Sequence, residues 1–372
     1  RIYQQKEKLF SKDFSFPAGA ARFNEKHLNV IKLLKKFDLI DFRKDKKLSA
    51  SMKFIDSKNK NPKFTHDNGF VFVDKVLKYS KKYNSHYLQR LTFKELAKKA
   101  LTKKELDFML VASGNSGQLK NMNAYDAIHL FTNGIRPDLK YWIGKFHILV
   151  EKLVEYLKNK KANIKLKSEV KKIFFDETKE CYKINYNNKI IYSKKIVFCL
   201  PKPALLKINI LKPIHTILNS SVTSKSLCRT YAIFKNNDFI KNLKEKFITN
   251  NHLRYIIPID PENGLIMISY TDEIYTKYWN SIRNNQEKLK MKIVDLIKET
   301  FNVDIEKPER VFVCNWECGV AYWNKNKNSK VISKFLTNPL HNIYICGENY
   351  SLNQSWVEGS LESCNEFLKL LK

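Results

Sequence analysis

Two segments of the chain combine residue types and spacings that could bind a charged or flat group. Near the carboxyl end, an apolar run ending at Cys346 is followed by Gly347 and Glu348, a polar loop, and an amphipathic pattern beginning near Ser355 and Trp356. This order predicts a buried strand, a loop and a helix whose first N–H groups can stabilise negative charge. Strand, turn and helix follow one another in most α/β proteins, so this pattern alone only suggests a site.

Gly19, Ala20 and Ala21 form the second segment, and Arg22 follows them directly. Small side chains let a backbone approach a flat ring closely, because a larger side chain would hold it off the ring face. Tight packing of a strand on a helix is the other use of such a run. The segment therefore predicts either a binding surface or a crowded packing site.

Length and composition predict a folded protein with two domains. The 372 residues are 43% hydrophobic and 13% aromatic, and their number exceeds the size at which one core usually splits. The net charge of +31 is spread along the chain, and no block of like charge forms an arm. The lysines accompany many Asn, Ile, Tyr and Phe residues, as in AT-rich genomes such as those of large DNA viruses. We therefore expect no specific nucleic-acid partner, with charge-driven binding as the open alternative.

The seven cysteines and the apolar runs bear on the cellular compartment. The cysteines lack a framework of spacings and lie mostly in apolar runs, which favours a reducing compartment. Cys314 and Cys318 have no second pair to complete a metal site, so buried thiols and no metal are expected. No apolar run reaches the roughly 20 residues of a membrane span, and no signal peptide is visible. We expect a soluble, cytoplasmic protein without a membrane partner, and its oligomeric state stays open.

Apolar periodicity predicts a mixture of helices and strands without internal repeats. Helices are predicted after a cap at Asn24, through most of residues 74–157, and over residues 285–301. Alternating runs predict strands within residues 163–200 and antiparallel strands within residues 219–313. The final helix is predicted to bury Val357, Leu361, Cys364, Leu368 and Leu371. Because no linker separates these regions, the domains must be threaded through each other.

Several sequence motifs resemble those of the flavin-containing amine oxidases. The carboxyl-terminal segment consists of GEN, a short polar loop and WVEGSLESC. It resembles the signature of that superfamily, which includes monoamine, polyamine and L-amino acid oxidases. RIY resembles the residues after the paired glycines of its GGR motif, and GAARFNEKH resembles the L-amino acid oxidase form of the next motif. SEVKKI resembles the strand that contacts adenine, and FCLPKPAL resembles the returning flavin-domain strand. The resemblance thus spans the chain from Arg1 to Lys372.

The resemblance implies an α/β (α+β) fold with two interleaved domains. An FAD/NAD(P)-binding Rossmann-like domain is expected at residues 1–50, 158–215 and 314–372. An antiparallel-sheet substrate domain with a helical insert is expected at residues 51–157, which are mostly helical, and 216–313. The first strand and GxGxxG turn that receive the pyrophosphate are not in the sequence. We therefore expect a cofactor domain truncated at its N-terminus, so that this chain alone binds FAD weakly or not at all.

The resemblance also implies a set of cofactor contacts. FAD is expected to be non-covalent, because Ala321 stands where monoamine oxidases attach the flavin through a cysteine. The implied cofactor-binding residues are Arg1 near the phosphates, Gly19, Ala20, Ala21 and Arg22 at the flavin ring, Val170 at the adenine, Glu348 at a hydroxyl of the sugar or ribityl chain, and Ser355, Trp356 and Val357 at the pyrimidine end, together with Trp316 and Gly347.

Four residues are implied to act on the substrate. The arginine matching Arg22 holds the substrate carboxylate in L-amino acid oxidases, where a planar guanidinium gives a bidentate pair; a structural salt bridge or contact with FAD alone stays open. Arg229 stands where the family usually has a lysine that holds a water, so it could only position water or substrate, or lie exposed on a strand. Tyr322 and Trp356 would form the aromatic cage, although Trp323 could replace Tyr322.

The function implied is FAD-dependent oxidation of a primary amine or an L-amino acid to an imine, with oxygen reduced to hydrogen peroxide. Arg22 favours an amino acid over a polyamine. Polyamine oxidation and a non-catalytic flavin-fold protein are the alternatives.

Overall fold

Helices and strands alternate along the chain in the computed structural model, which describes residues 2–45, 47–48, 51–58, 67–114, 116–235 and 237–371. The strands are β1 (Gln4–Leu9), β2 (Lys12–Pro17), β3 (Arg22–Asn24), β4 (Met52–Ile55), β5 (Tyr141–Ile143), β6 (Val170–Asp176), β7 (Cys181–Tyr186), β8 (Lys189–Ser193), β9 (Ile196–Phe198), β10 (Val222–Ile233), β11 (Lys246–Thr249), β12 (Tyr255–Asp260), β13 (Leu265–Asp272), β14 (Arg310–Trp323) and β15 (Ile343–Ile345). The α-helices are α1 (Leu28–Lys36), α2 (Phe70–Ser80), α3 (Ser85–Gln89), α4 (Phe93–Ala100), α5 (Lys103–Ala112), α6 (Gly117–Asn121), α7 (Ala124–Asn133), α8 (Phe146–Asn159), α9 (Lys202–Leu205), α10 (His215–Ser221), α11 (Asp238–Lys241), α12 (Ile274–Ile282), α13 (Gln286–Phe301), α14 (Ser329–Thr337) and α15 (Val357–Lys369). Short 3₁₀ turns occupy Asn209–Ile214, Pro261–Asn263 and Glu348–Tyr350.

The chain divides into two compact units, each made of three segments. Unit 1 comprises the described residues of Arg1–Lys26, Lys46–Gly144 and Lys225–Val320. Unit 2 comprises the described residues of His27–Asp45, Lys145–Ser224 and Ala321–Lys372. The unit boundaries differ from the predicted domain boundaries, and the role of each domain stays a prediction.

Unit 1 is built on a six-stranded mixed sheet in the order β14-β10-β13-β12-β11-β4. β10, β13, β12 and β11 pair antiparallel in that order, whereas β4 joins β11 in parallel. Buried side chains of β10, β12 and β13 form one apolar core with those of α12 and α13. The largest residue of this core, Trp279, is fully buried and donates its indole N–H to the His252 carbonyl at 2.9 Å. The two helices thereby shield the backbone of the sheet from water.

The hairpin of β1 and β2 supplies the second core of unit 1. Its two-residue turn consists of Phe10 and Ser11, both with positive φ (53° and 60°). Turns with two positive φ values match the twist of paired strands. Phe14 and Phe16 of the hairpin pack with Tyr231 and other buried side chains of β10, β12 and β13. The register of the hairpin consequently fixes where β2 ends, at Pro17.

Unit 1 also contains the run of short helices from α2 to α7, as predicted for much of residues 74–157. Thr92 and Glu95 at α4, and Thr102 and Glu105 at α5, form capping boxes in which each pair exchanges side-chain and backbone hydrogen bonds. Such boxes satisfy N–H groups that a helix start leaves unpaired. These helices therefore have defined starts that the local sequence encodes.

Unit 2 contains two smaller sheets. β9 and β15 pair in parallel, with Phe198 opposite Ile345, and β6, β7 and β8 form an antiparallel meander. α1, α8, α14 and α15 belong to the same unit. The parallel pair and the meander are the elements from which the cofactor domain was predicted.

Comparison with the predicted elements gives one confirmation and two corrections. α13 begins after Asn285, whose side chain accepts from the Lys288 N–H at 2.9 Å, as predicted. The predicted cap at Asn24 is wrong: Asn24 lies in β3, which pairs with β5, and α1 begins only at Leu28. In the final helix, the predicted apolar face is wrong at its end, because Phe367 is buried whereas Leu368 and Leu371 are exposed.

Candidate active site

The predicted small-residue segment of unit 1 connects β2 to β3, and its backbone is held on both sides. The N–H groups of Ala18 and Gly19 donate to the Tyr3 carbonyl at 2.9 and 3.3 Å. The Gly144 N–H donates to the Ala21 carbonyl at 2.7 Å. Ala18 and Ala21 are buried. A connection that would otherwise be an irregular loop is therefore fixed in one conformation.

Arg229 and Tyr231 of β10 bind the carbonyl groups of the same segment. The Arg229 guanidinium donates to the carbonyls of Gly19 and Pro17, and the Tyr231 hydroxyl donates to Pro17 at 2.6 Å. Arg229 is only 7% exposed, and its guanidinium carbon lies 5.1 Å from the centre of the Tyr270 ring. The predicted alternative of an exposed arginine is therefore wrong. Arg229 acts on the backbone of the segment, a role the sequence did not indicate.

Trp316 of β14 makes the third of these contacts. Its indole N–H donates to the Ala18 carbonyl at 2.7 Å. The carbonyls of residues 17, 18 and 19 thus all accept a hydrogen bond from a side chain of unit 1. Trp316 was predicted to touch the cofactor, and the structure shows it positioning the segment predicted to lie against the flavin ring.

Arg22 is the first residue of β3, and its guanidinium lies near the rings of three tyrosines. Its guanidinium carbon lies 6.0 Å from the ring centres of Tyr141 and Tyr255 and 5.7 Å from that of Tyr270. Burial alone would lower the pKa of Arg22, but the three phenol groups outweigh it and the net pKa is raised. No Asp or Glu pairs with Arg22 among the described residues. The alternative of a structural salt bridge therefore has no partner there.

The carboxyl-terminal loop of unit 2 follows β15 as predicted. Gly347 has a φ of 141°, a value that favours glycine, and a side chain there would meet no atom within 4 Å. Glu348 is 5% exposed, and its carboxylate accepts from the Ser355 N–H at 2.5 Å and the Asn349 amide at 2.8 Å. Glu348 therefore closes the loop between its own position and Ser355.

The helix predicted after this loop begins at Val357, with Trp356 at its N-cap and without a side-chain capping bond. Gly359 in its first turn allows the loop to lie close, because a side chain there would strike the Asn353 carbonyl. Glu358 turns away to α1, where it accepts from the Asn29 N–H at 3.0 Å and the Val30 N–H at 2.9 Å.

His27 is a neighbour of the predicted cage residue Trp356 that the sequence did not indicate. The two ring centres lie 4.6 Å apart in an edge-to-face arrangement. His27 is 4% exposed, and burial lowers its pKa to about 4. The imidazole is consequently neutral at physiological pH. The only signal in the sequence was its position within the GAARFNEKH motif.

The remaining predicted site residues of unit 2 differ in their surroundings. Tyr322 and Trp323 are both fully buried at the end of β14. Trp323 donates its indole N–H to the Ser351 carbonyl at 2.9 Å, and its backbone N–H donates to the Gln354 side chain at 2.9 Å. Trp323 is thereby bound into the carboxyl-terminal loop. Val170 begins β6 and is 39% exposed.

The structure brings the predicted residues together in two groups. In unit 1, the group consists of Gly19, Ala20, Ala21, Arg22, Arg229 and Trp316. In unit 2, the group consists of Gly347, Glu348, Ser355, Trp356 and Val357. Arg1 lies outside the described residues.

Solved structures with a similar fold include amine oxidases. A double mutant of putrescine oxidase, from a structure-based redesign of its cofactor binding, superposes with a TM-score of 0.77 at 10% identity and covers 99% of this chain and 91% of that one. Wild-type putrescine oxidase bound to putrescine gives a TM-score of 0.76 at 10% identity, with the same coverage. Cyclohexylamine oxidase from Brevibacterium oxydans IH-35A gives 0.71 at 13% identity, over 99% of this chain and 91% of that one. The chain has the flavin amine oxidase fold.

This likeness confirms the predicted fold class and the family resemblance on which it was based. No family description and no curated protein sequence matches the chain. At 10 to 13% identity the amine oxidase fold is shared, while the reaction and the ligands require their own evidence.

No group of three or more His, Cys, Asp or Glu among the described residues could hold a metal ion. Cys314 and Cys318 form no disulfide and are half-buried, so the prediction of buried thiols is wrong for these two residues. Among the same residues, no helix combines the length and apolar character needed to cross a membrane.

Proposed function

We propose that the protein is an FAD-dependent oxidase that converts a primary amine or an L-amino acid to an imine and passes the electrons to oxygen, giving hydrogen peroxide. The observation that carries this proposal is the amine oxidase fold over 99% of the chain. The similar structures include one solved with putrescine bound and one of an oxidase of cyclohexylamine. Both of those proteins act on amines, as their names state.

Non-covalent FAD fits the chemistry of the two residue groups. Gly347 leaves open space at a backbone position, and α15 begins without a side-chain cap. An uncapped helix start favours a ligand with partial negative charge, which matches the pyrimidine end of a reduced flavin. When bound, FAD supplies the electron acceptor of the reaction. Ala321 at the end of β14 offers no thiol for a covalent link.

Arg22 is the proposed substrate anchor. Its guanidinium is surrounded by aromatic rings and has no carboxylate partner among the described residues. A substrate carboxylate would supply that partner in a bidentate pair. Arg229 and Trp316 act as positioning residues, because they hold the carbonyls of the segment that leads into Arg22. Holding a charged anchor in one position reduces the entropy lost when the substrate binds.

Tyr322 and Trp356 are the proposed cage for the reacting amine. The bonds of Trp323 to the carboxyl-terminal loop favour Tyr322 over Trp323 for this role. Aromatic faces orient an amine and exclude water from it. The buried His27 beside Trp356 is neutral, so it places no competing positive charge next to the ring. On this assignment unit 2 is the cofactor domain and unit 1 is the substrate domain.

A substrate panel tests the proposed function. The purified protein with added FAD is supplied with neutral, basic and acidic L-amino acids, primary monoamines and putrescine, and peroxide release is measured. We expect peroxide from at least one compound, and from amino acids more than from putrescine. Silence across the panel, with FAD bound, would contradict an oxidase and favour a non-catalytic flavin-fold protein. Better turnover of putrescine would contradict the role of Arg22 while keeping the oxidase.

A further inference from the structure

Lys246 is a buried lysine in unit 1 that neither the motifs nor the fold assigns a role. It is the first residue of β11 and only 4% exposed. Its backbone N–H donates to the Ser51 carbonyl at 3.2 Å, and its ammonium lies 5.9 Å from the centre of the Tyr141 ring. Burial, and then the positive charge of Arg22, lower the pKa of Lys246 to about 8. A substantial fraction of the side chain is therefore charged at neutral pH.

Lys246 and Arg22 share one tyrosine. The guanidinium carbon of Arg22 lies 6.0 Å from the centre of the Tyr141 ring, which limits its separation from the Lys246 ammonium to about 12 Å. Neither cation pairs with a carboxylate among the described residues, and the rest of the sequence contains no Asp or Glu. A buried ammonium and a half-buried guanidinium thus lie within about 12 Å of each other, without a carboxylate partner among the described residues.

Other buried cations of unit 1 show what a purely structural arrangement looks like. Arg254 is 3% exposed, and its guanidinium donates to the carbonyls of Thr249 at 2.6 Å, Gly114 at 2.6 Å and Val111 at 3.1 Å. Arg229 is likewise bonded to backbone carbonyls. For Arg254 the protein supplies the acceptors that a buried charge requires. For Arg229, backbone carbonyls accept from one terminal nitrogen, whereas the buried Nε has no partner among the described residues. Among the described residues, the Lys246 ammonium contacts the aromatic ring of Tyr141.

An aromatic ring offsets only part of this cost. A cation over a ring gains roughly 0.5–2 kcal/mol, whereas burial of an unpaired charge costs several kcal/mol. Uncompensated charge in a protein interior is characteristic of sites whose ligand completes the pairing. For two adjacent cations, that ligand must be an anion.

We infer that Arg22 and Lys246 form a two-cation site for an amine substrate with two acid groups, an α-amino dicarboxylate. This inference rests on the proposed function for its amine chemistry. Arg22 pairs with one carboxylate through both nitrogens of its fork, and Lys246 pairs with the second as a point charge. A diammonium compound such as putrescine is repelled by both cations. A monocarboxylate leaves the Lys246 charge uncompensated.

Binding of compounds that cannot react tests the site without catalysis. Succinate and glutarate carry two acid groups and no amine, butyrate carries one acid group, and putrescine carries two amines. Isothermal titration calorimetry of the 372-residue chain is expected to show the dicarboxylates binding at least about 10-fold more tightly than butyrate, with no binding of putrescine. Equal affinity for succinate, glutarate and butyrate would overturn the inference.

Lys246→Met removes the charge and keeps a side chain of similar length. We expect it to weaken dicarboxylate binding at least about 10-fold while butyrate binding changes less than about 2-fold. Lys246→Arg is expected to retain most of the dicarboxylate affinity. Lys244→Met, at an exposed position two residues earlier, is the matched control and is expected to bind as the unchanged chain does. Retention of full dicarboxylate affinity in Lys246→Met would overturn the inference.

Protein stability shows whether a loss of binding reflects misfolding. Lys246→Met should melt at the same or a higher temperature than the unchanged chain, because it removes a buried charge without a partner.

Lysine-dependent dicarboxylate binding without oxidation of any amine would support this site and contradict the oxidase. Oxidation of neutral amino acids without preference for acidic ones would overturn this site and leave the oxidase standing.

Discussion

The two units hold their candidate residues by different means. In unit 1, Arg229, Tyr231 and Trp316 reach across from β10 and β14 to the carbonyls of residues 17–19, between two apolar cores. In unit 2, the carboxyl-terminal loop is closed by its own Glu348. The meander of unit 2 exposes large apolar side chains, namely Phe174, Phe175, Ile190, Ile191 and Tyr192.

On the proposed function, this difference concerns substrate recognition in unit 1 and cofactor binding in unit 2. The segment that leads into Arg22, the proposed substrate anchor, is held by hydrogen bonds between residues about 210 positions apart. The loop of unit 2 is closed by Glu348 and Ser355, and its Asn349 and Tyr350 also bond to Lys202 and Leu218. Loss of the Arg22 guanidinium is therefore expected to change substrate binding, and loss of the Glu358 carboxylate to change stability.

The largest effect is expected from Arg22→Met. Removing the guanidinium leaves a substrate carboxylate without its partner, so kcat/KM for the best amino acid should fall by about 10³-fold or more. Arg22→Lys should recover only part of this loss, because an ammonium cannot form the bidentate pair. Steady-state peroxide release measures both. The dissociation constant of FAD should be unchanged, and the exposed Arg283→Met is the control.

Glu358→Gln tests unit 2 and should reduce stability by about 3 kcal/mol. The buried carboxylate accepts from the backbone N–H groups of Asn29 and Val30 and from the Asn29 amide, and bonds to a charged group are worth about 1.5–3 kcal/mol each. Urea unfolding measures the change. Glu366→Gln, which removes an exposed pair with Lys369, is the control. Equal effects of the two variants would contradict a capping role for Glu358.

The pH dependence of stability should have opposite signs in the two units. Burial lowers the pKa of His27 in unit 2 to about 4. The unfolded chain then binds the extra proton, and this residue destabilises the fold as pH falls from about 6.5 to 4, by at most about 3 kcal/mol. Burial raises the pKa of Asp272 in unit 1 to about 6. Its contribution is present below about pH 4 and is lost as pH rises through 6.

Unfolding at several pH values distinguishes these two contributions. His27→Gln should make the fold less sensitive to acid between pH 6.5 and 4, and Asp272→Asn should make it more sensitive. The exposed His86→Asn should leave the profile unchanged. Parallel shifts of the profile in the His27 and Asp272 variants would contradict the assignment of opposite signs.

The smallest effect is expected from Tyr231→Phe. The substitution deletes one hydrogen bond, to the Pro17 carbonyl at 2.6 Å, and keeps the ring in its core. Stability should fall by about 1 kcal/mol. Because Arg229 still binds the neighbouring Gly19 carbonyl, KM should change less than about 3-fold. A loss of activity as large as that of Arg22→Met would show that Tyr231 contacts the substrate.

Local sequence patterns predicted helices and strands, whereas contacts between residues distant in sequence determined what the individual side chains of the candidate site bind. The strand, loop and helix from β15 to α15 followed from residues adjacent in sequence. The predicted cap at Asn24 was wrong because β5, more than 100 residues away, draws Asn24 into β3. The bonds of Arg229, Trp316 and Glu358 join segments that no periodicity connects. The signal in the sequence that could have indicated Glu358 was its position in the first turn of the predicted helix, where a carboxylate is favoured.

The burial of Lys246 could not be predicted from the sequence either. The sequence contains many lysines, and this composition favours lysine side chains that lie on a solvated surface. In the structure, β11 pairs with β4 so that Lys246 lies opposite Met52, and its buried side chain lies beside Tyr141. Charge counted along the sequence therefore does not distinguish Lys246 from the exposed lysines of the described residues.

Anaerobic flavin reduction tests the central claim most directly. Because this chain alone is expected to bind FAD weakly, FAD is added in excess, the protein is mixed, without oxygen, with an acidic amino acid, a neutral amino acid or putrescine, and the visible absorbance of the oxidised flavin is followed. We predict bleaching of the bound flavin, fastest with the acidic amino acid and lost in Arg22→Met. A bound flavin that stays oxidised with all three compounds would contradict the account.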